Sequence, residues 1–321
     1  MSEKYKMIND PSFNCERADN VEEWLKIGRE MIERKFPLQL DMELTTGCNL
    51  KCPFCVQGSD NPPKVVHMSF DLVNQMLLEG YENSLKSVKL QYRGEPLVYP
   101  QFKELIKLTK DSGIEVRFNT NGQLLNRDLA EVLISCGVHK VIFSVDSCIP
   151  SKYEKLRKGG KFITLLTNLM NLQLLKEREK SDKPLVRIQA VKQELNKVEI
   201  ENNIYQDYFK VYADEIGIED EFDFYDNKQD YTPLPKWHCE QLWQRLFVLA
   251  DGTVIPCCAG IDYKEDKIYS VGNANTQSIS EIWNSQKLRV MREVHRAGNS
   301  HAFEMCRKCR IRKYVVKKTN D

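Results

Sequence analysis

No stretch of this sequence is apolar over the roughly 20 residues that a membrane-spanning helix needs. Its first residues, MSEKYKM, also lack the apolar run of a secretory signal. Neither membrane nor secretory route is expected; a reducing, cytoplasmic setting is. Charge excess is absent too: 47 Lys and Arg stand against 46 Asp and Glu, a net +1. No nucleic acid or acidic membrane surface is therefore expected as the main partner. The basic tail from Arg307 to Lys318 is a local exception and reads as a solvated C-terminus. What is abundant is cysteine, 11 in 321 residues. In a reducing compartment, clustered cysteines are metal ligands rather than a disulfide framework.

Three of them, Cys48, Cys52 and Cys55, fall in one loop, Cys-Asn-Leu-Lys-Cys-Pro-Phe-Cys, at CxxxCxxC spacing. They can converge on one metal centre, yet they are one ligand short of a closed site. Structural zinc and a simple electron-transfer [4Fe–4S] cluster both take four. Three thiolates on a four-iron cluster would leave one iron open to a substrate or cofactor. The alternative is a zinc loop that recruits a distant fourth ligand.

The rest of the chain reads as an α/β scaffold for that loop. An amphipathic helix (Val21, Trp24, Leu25, Ile27, Met31, Ile32) opens a 1–37 extension and is expected on the outside of the main domain. From Leu38 to Leu44 apolar and polar residues alternate as a strand, and the cysteine loop follows. Helices and strands then alternate: a helix after Ser69, a strand at Val88–Tyr92, a helix from Phe102, a strand at Ile114–Phe118, a helix at Leu129–Leu133 and a strand at Val141–Val145. A helix at Phe162–Leu175, a strand at Leu185–Val191, a helix at Tyr205–Ala213 and a strand at Glu215–Ile218 complete the series. Such alternation implies right-handed parallel βαβ units. Six of them, over 38–218, form a partial (β/α)6 TIM-like barrel. Gly94-Glu95-Pro96, Asn119-Thr120-Asn121-Gly122, Ser144-Val145-Asp146 and Gln189 all fall at strand ends, where parallel barrels build their sites.

Residues 219–236 turn acidic and irregular, a linker. Residues 237–321 hold a second cysteine set. Asp251-Gly252 between two apolar runs is a hairpin signal. Ser278 and Glu281 make a capping box for a helix carrying Ile279, Ile282, Trp283, Val290 and Val294. Cys239 precedes the hairpin, Cys257 ends it, and Cys306 and Cys309 follow the helix as CxxC. Four cysteines around one hairpin and one helix can close a site, whether for a cluster or for a four-cysteine zinc knuckle. Cys258 is a spare beside Cys257, and Cys136 and Cys148 read as core or loop residues.

With Phe54 just before the last cysteine, the triplet resembles the signature of the radical S-adenosylmethionine (SAM) superfamily. Gly94-Glu95-Pro96 resembles the family's GGEP motif, with Arg93 in place of the first glycine. The resemblance implies an open barrel and a [4Fe–4S] cluster on Cys48, Cys52 and Cys55. SAM would be cleaved reductively there to a 5′-deoxyadenosyl radical that abstracts hydrogen from a substrate. It implies SAM contacts at Phe54, Gly94, Glu95, Asn119, Asn121 and Ser144. Arg187 or Gln189 would reach the SAM carboxylate or the substrate, and Asp146 reads as a helix cap. The second set is similar to the abbreviated SPASM domain called twitch, which implies an auxiliary [4Fe–4S] cluster on Cys239, Cys257, Cys306 and Cys309.

Two clusters and SAM imply an oxidoreductase. The auxiliary cluster accepts an electron while a carbohydrate-like or aminocyclitol alcohol is dehydrogenated, and flavodoxin or ferredoxin supplies electrons from outside. With no evident N-terminal recognition domain, a small polar substrate is favoured over a peptide. The alternatives are a peptide-modifying enzyme, a sugar epimerase or dehydratase, and a non-catalytic metal-binding scaffold. An alcohol oxidation also needs a base, and Asp251, Asp262 and Glu194 are candidates among which the sequence does not choose.

Overall fold

The computed structural model describes residues 21–221, 237–263, 266–307 and 309. Cys15, the acidic stretch 222–236 and the basic tail beyond 309 lie outside them. In chain order the longer strands are β1 (Gln39–Met42), β2 (Ser87–Lys89), β3 (Glu115–Thr120), β4 (Lys140–Ser144), β5 (Leu185–Lys192), β6 (Glu215–Asp220), β7 (Arg245–Val248) and β8 (Thr253–Ile255). Of the described residues, Glu43–Phe70 and 89–221 form one compact unit, and 21–42, 71–88 and 237–309 form a second.

In the first unit β3, β4, β5 and β6 run parallel in that order. Helices Arg127–Ser135 and Phe162–Glu179 lie between successive strands. Phe118, Val141, Phe143, Val186 and Ile188 are fully buried, the continuous apolar content expected of parallel strands covered on both faces. Register sets which side chains act together. Asn119 and Arg187 both lie opposite Ile142, and two residues along Ser144 lies opposite Gln189. With a side-chain period of two, Asn119, Arg187, Ser144 and Gln189 share one face. Asn119 and Ser144 stand toward the C-terminal ends of β3 and β4, while Arg187 lies in the N-terminal half of β5, opposite Glu215.

In the second unit β1 pairs in parallel with β7, from Gln39 opposite Arg245 to Met42 opposite Val248. β7 and β8 form the expected hairpin. Gly252 at its turn has φ +85°, and Asn275 leaves no room there for a Cβ. The helix Val21–Arg29 packs within this unit: Trp24 and Ile27 are buried, and Gln244 Nε2 donates to the Trp24 carbonyl at 2.9 Å. Within this unit its partner is the segment around Gln244. Arg245, 1 % exposed, is neutralised by Asp41 at 3.3 Å.

The capping box forms as expected, with Ser278 Oγ accepting from Glu281 N–H at 3.1 Å and the Glu281 carboxylate accepting from Ser278 N–H at 2.8 Å. The single helix expected after it does not. Helix Ile279–Trp283 ends, and Ser285 caps a second helix, Gln286–Arg296. Ser and Asn side chains compete for local backbone groups, and Asn284-Ser285 restarts the helix for that reason. The restart changes the phase. Leu288, Met291, Arg292 and His295 turn inward, while Val290 is 38 % exposed.

Candidate functional site

Residues 48–55 are held from three sides within the first unit. Gln57, buried just after the loop, donates through Nε2 to the Thr46 carbonyl at 2.7 Å and the Arg93 carbonyl at 3.1 Å. Lys51 N–H reaches the Lys158 carbonyl at 2.8 Å, and Asn121 Nδ2 donates to Asn49 Oδ1 at 2.8 Å. Gly94 packs so tightly on the Thr45 and Gly47 carbonyls that any Cβ would collide with them. Arg93, in place of a motif glycine, points away into a bidentate pair with buried Glu43 (2.6 and 2.5 Å). Its charge is therefore satisfied, and the backbone at 93–95 is free to follow the motif.

Among the described residues no three His, Cys, Asp or Glu side chains stand close enough to hold one metal ion. The thiols are grouped without being drawn onto a single centre. Their chemistry suits a cluster. Burial, then the nearby charges of Glu95, Cys52 and Cys55, pushes the Cys48 thiol up to about 12. Such a thiol ionises only when a cation binds it. N–H groups already face the sulfurs: Leu50 N–H lies 3.4 Å and Asn121 Nδ2 4.0 Å from Cys48 Sγ, and Arg157 Nη1 4.0 Å from Cys52 Sγ. Hydrogen bonds of this kind tune iron–sulfur clusters.

Each predicted cofactor residue has a definite place. Phe54 lies under the Arg157 guanidinium, 5.2 Å from ring centroid to Cζ. Glu95 is buried, and its carboxylate accepts from Thr120 Oγ1 (2.7 Å), Asn121 N–H (2.7 Å) and Leu97 N–H (3.2 Å). Desolvation raises its pKa to about 7. Its side chain thus ties strand ends together. Asn119 Oδ1 is buried without a hydrogen-bond partner among the described residues, an acceptor left for a ligand. Ser144 and Gln189 face each other half-buried. Arg187 is buried, lies over Gly217 in a cradle that any Cβ would fill, and pairs with Glu215 at 3.6 Å. Of the candidate bases, Glu194 has its side chain 93 % exposed and Asp251 Oδ1 is engaged by Thr253 N–H at 2.9 Å.

Asp146 is no helix cap. It is fully buried, forms an ion pair with Arg157, and accepts from Val191 N–H at 2.9 Å through Oδ1. Arg157 itself escapes a sequence reading because Lys155-Leu156-Arg157-Lys158 looks like a solvated charge run. Glu199 is the other group missed. It is 1 % exposed and receives Ser147 Oγ (2.8 Å), Cys148 N–H (3.0 Å), Cys148 Sγ (3.2 Å) and Lys152 Nζ (3.1 Å).

In the second unit, burial and then the charges of Cys258, Cys239, Cys309 and Cys306 hold the Cys257 thiol far above its ordinary range. Cys257 thus lies within electrostatic reach of Cys258, Cys239, Cys309 and Cys306. Cys239 is pushed up to about 12, chiefly by burial and then by Cys309. Cys258 is less buried and faces Gln241 Nε2 at 3.8 Å. His295 sits among them, its Nδ1 3.1 Å from Cys239 N and its Nε2 3.4 Å from Cys306 Sγ. Burial lowers its pKa to about 4.

Family models match both regions: the radical SAM superfamily over residues 42–178 and SPASM, an iron–sulfur cluster-binding domain, over 239–310. The chain is a radical SAM enzyme with a SPASM domain. S-adenosylmethionine and [4Fe–4S] clusters are the cofactors that these domains imply. Among curated relatives, a tungsten-containing aldehyde ferredoxin oxidoreductase cofactor-modifying protein of Pyrococcus furiosus is 25% identical, covering 85% of this chain and 87% of that protein. A probable GTP 3′,8-cyclase of Methanococcus maripaludis is 32% identical over 42% of this chain and 43% of its own length. Solved structures share the fold. BtrN in complex with AdoMet and 2-DOIA has a TM-score of 0.54 at 17% identity, covering 87% of this chain and 94% of that one. Streptococcus suis SuiB bound to precursor peptide SuiA has 0.60 at 17%, covering 92% and 76%. The anSMEcpe protein with bound AdoMet has 0.59 at 20%, covering 85% and 83%. Among the described residues no helix of this radical SAM enzyme is long and apolar enough to cross a membrane.

Proposed function

We propose that this radical SAM enzyme dehydrogenates an alcohol carbon of a small polar, carbohydrate-like or aminocyclitol substrate. SAM bound on a cluster at Cys48, Cys52 and Cys55 would supply, after one-electron reduction, the radical that removes a hydrogen atom. An alcohol becoming a carbonyl loses two protons and two electrons. One of each leaves with that hydrogen atom, the second proton goes to a base, and the second electron needs an acceptor. The observation that carries this reading is the second unit's cysteine set. Cys239, Cys257, Cys306 and Cys309 can fill every ligand position of a cluster, and a fully ligated cluster suits electron transfer.

Asn119, Ser144, Gln189 and Arg187 share one face of the parallel strands, and we assign them to orienting the amino-acid and ribose groups of SAM. Arg157, stacked on Phe54 and facing Cys52, joins them. Gly94 lets the backbone approach the cluster loop, while Glu95 and Asn121 hold the strand ends in place. A reducing cytoplasm with an external flavodoxin- or ferredoxin-like reductant accords with ten described cysteines that are all free thiols.

A second reading is favoured by the Pyrococcus furiosus relative, which aligns over most of both chains. On that reading the substrate is an organic cofactor of another oxidoreductase. Anaerobic reconstitution followed by incubation with sugars, aminocyclitols, peptides or the cofactor extracted from an aldehyde ferredoxin oxidoreductase separates them. The proposal expects about eight irons per chain and deoxyadenosine release stimulated by a sugar-like alcohol. Stimulation by the extracted cofactor or a peptide alone overturns it.

A further inference from the structure

We propose that His295 donates a hydrogen bond to Cys306 and thereby sets how readily the auxiliary centre takes up its electron. This rests on the reading of Cys239, Cys257, Cys306 and Cys309 as cluster ligands. The helix Gln286–Arg296 turns Leu288, Met291, Arg292 and His295 inward, and His295 is 1 % exposed. Phe303 stacks on its ring, with centroids 6.2 Å apart and planes 23° from parallel, and Trp237 lies 6.2 Å away on a tilted plane. The ring is thus fixed in orientation and shielded from water.

Geometry fixes its proton. Nδ1 lies 3.1 Å from Cys239 N and accepts that N–H. An accepting ring nitrogen carries no hydrogen, so the neutral imidazole has its proton on Nε2. Nε2 lies 3.4 Å from Cys306 Sγ. A cluster-bound thiolate has no proton to give, and the bond can run only from Nε2–H to sulfur. One side chain therefore braces the first cysteine of the set through its backbone and the third through its sulfur. Four thiols with Cys258 in reserve leave no vacancy that His295 must fill as a ligand.

A donor to sulfur stabilises the reduced, more negative form of a cluster more than the oxidised form, and so raises the reduction potential. His295 is a positioning residue in this sense, acting on electrons through Cys306.

The test uses the full chain with Cys48, Cys52 and Cys55 all changed to Ala, so that iron signals come from the second unit alone. His295→Phe, which keeps the ring volume, and His295→Gln, which keeps an amide N–H near the Nε2 position, are compared on that background. About four irons per chain are expected. In a titration followed by electron paramagnetic resonance, His295→Phe should shift the reduced-to-oxidised ratio about tenfold toward oxidised at fixed potential, about 59 mV for one electron. His295→Gln should recover most of that shift. An exchangeable proton coupled to the cluster should be visible with His or Gln and lost with Phe. An unchanged midpoint with the coupling retained in His295→Phe overturns the inference alone, as does nitrogen bonded directly to iron. A background that takes up no iron overturns the cysteine assignment and the inference with it. If His295→Phe holds no iron, His295→Gln decides, and a potential shifted fully away from the wild-type value overturns the inference.

Discussion

The cysteine loop of the first unit and the cysteine set of the second bury sulfur in different company. Around Cys48, Cys52 and Cys55 stand an arginine, a fully buried aspartate and two asparagines, Asn49 and Asn121. Around the second set, a buried imidazole faces Cys239 N and Cys306 Sγ and the Gln241 side-chain amide faces Cys258 Sγ, with the Arg245 charge acting on Cys239 from a distance. Burial raises the thiol pKa values in both. On the proposed assignment, the difference lies in what each site would admit. SAM carries an ammonium, a carboxylate and a sulfonium, and ionic partners compensate the desolvation of such groups. A cluster that only exchanges an electron is better served by neutral donors, which tune its charge without drawing in water or anions.

Removing one thiol from each region is the strongest way to break that comparison. Cys52→Ala should abolish 5′-deoxyadenosine formation altogether and remove about half of the iron, because two thiolates do not hold a four-iron cluster with an open site. Cys306→Ala should leave SAM cleavage measurable while stopping net substrate oxidation. Equal loss of both activities in both variants, with folding intact, would remove the division of labour.

The ionic partners come next. Asp146 is fully buried, and Arg157→Met leaves its carboxylate without a counter-charge. Breaking a buried pair from one side costs about 3–5 kcal/mol. Denaturant unfolding should therefore show a loss of that order for the single variant. The double variant Asp146→Asn with Arg157→Met should recover most of it, since the introduced amide keeps an oxygen for Val191 N–H. Additive losses would mean that the two side chains are not coupled.

How much of this was readable beforehand depended on whether the signal was local. The β/α alternation, the cysteine spacings, the Asp251-Gly252 turn and the Ser278–Glu281 capping box are properties of a few adjacent residues, and they stand where periodicity and turn chemistry place them. Arg157, Glu199 and His295 were invisible for the opposite reason. Each gains its role from a partner far along the chain, and alone each resembles a surface charge or an ordinary helical histidine. The helix break at Asn284-Ser285 shows how a local detail propagates: the expected continuous helix would have turned Val290 and Val294 to one face, and the restart turns His295 inward instead. The pairing of β1 with β7 joins segments some 200 residues apart, which no local pattern encodes.

Glu95 offers the finest test of how the strand ends near the cluster loop are held. Its ordinary carboxylate pKa of 4.5 is raised to about 7 by burial, against three hydrogen bonds that pull it down. Between those values the native state binds more protons than the unfolded chain, so stability falls as pH rises through the window. Fully ionised Glu95 should cost about 3 kcal/mol relative to pH 4. The Cys48 thiol, pushed up to about 12, stays protonated throughout the window and adds no slope of its own. His295, lowered to about 4, contributes the opposite slope up to its free value of 6.5. The decline is therefore read from urea unfolding of the iron-free chain at pH 5, 6, 7 and 8 as the stability of the wild type minus that of Glu95→Gln, which should fall across the series. The amide of that variant loses only an acceptor for one of the three donors, so its stability at pH 5 should drop by about 1 kcal/mol. A difference that stays constant across the series would leave Glu95 ionised in its clamp and assign the slope to other groups.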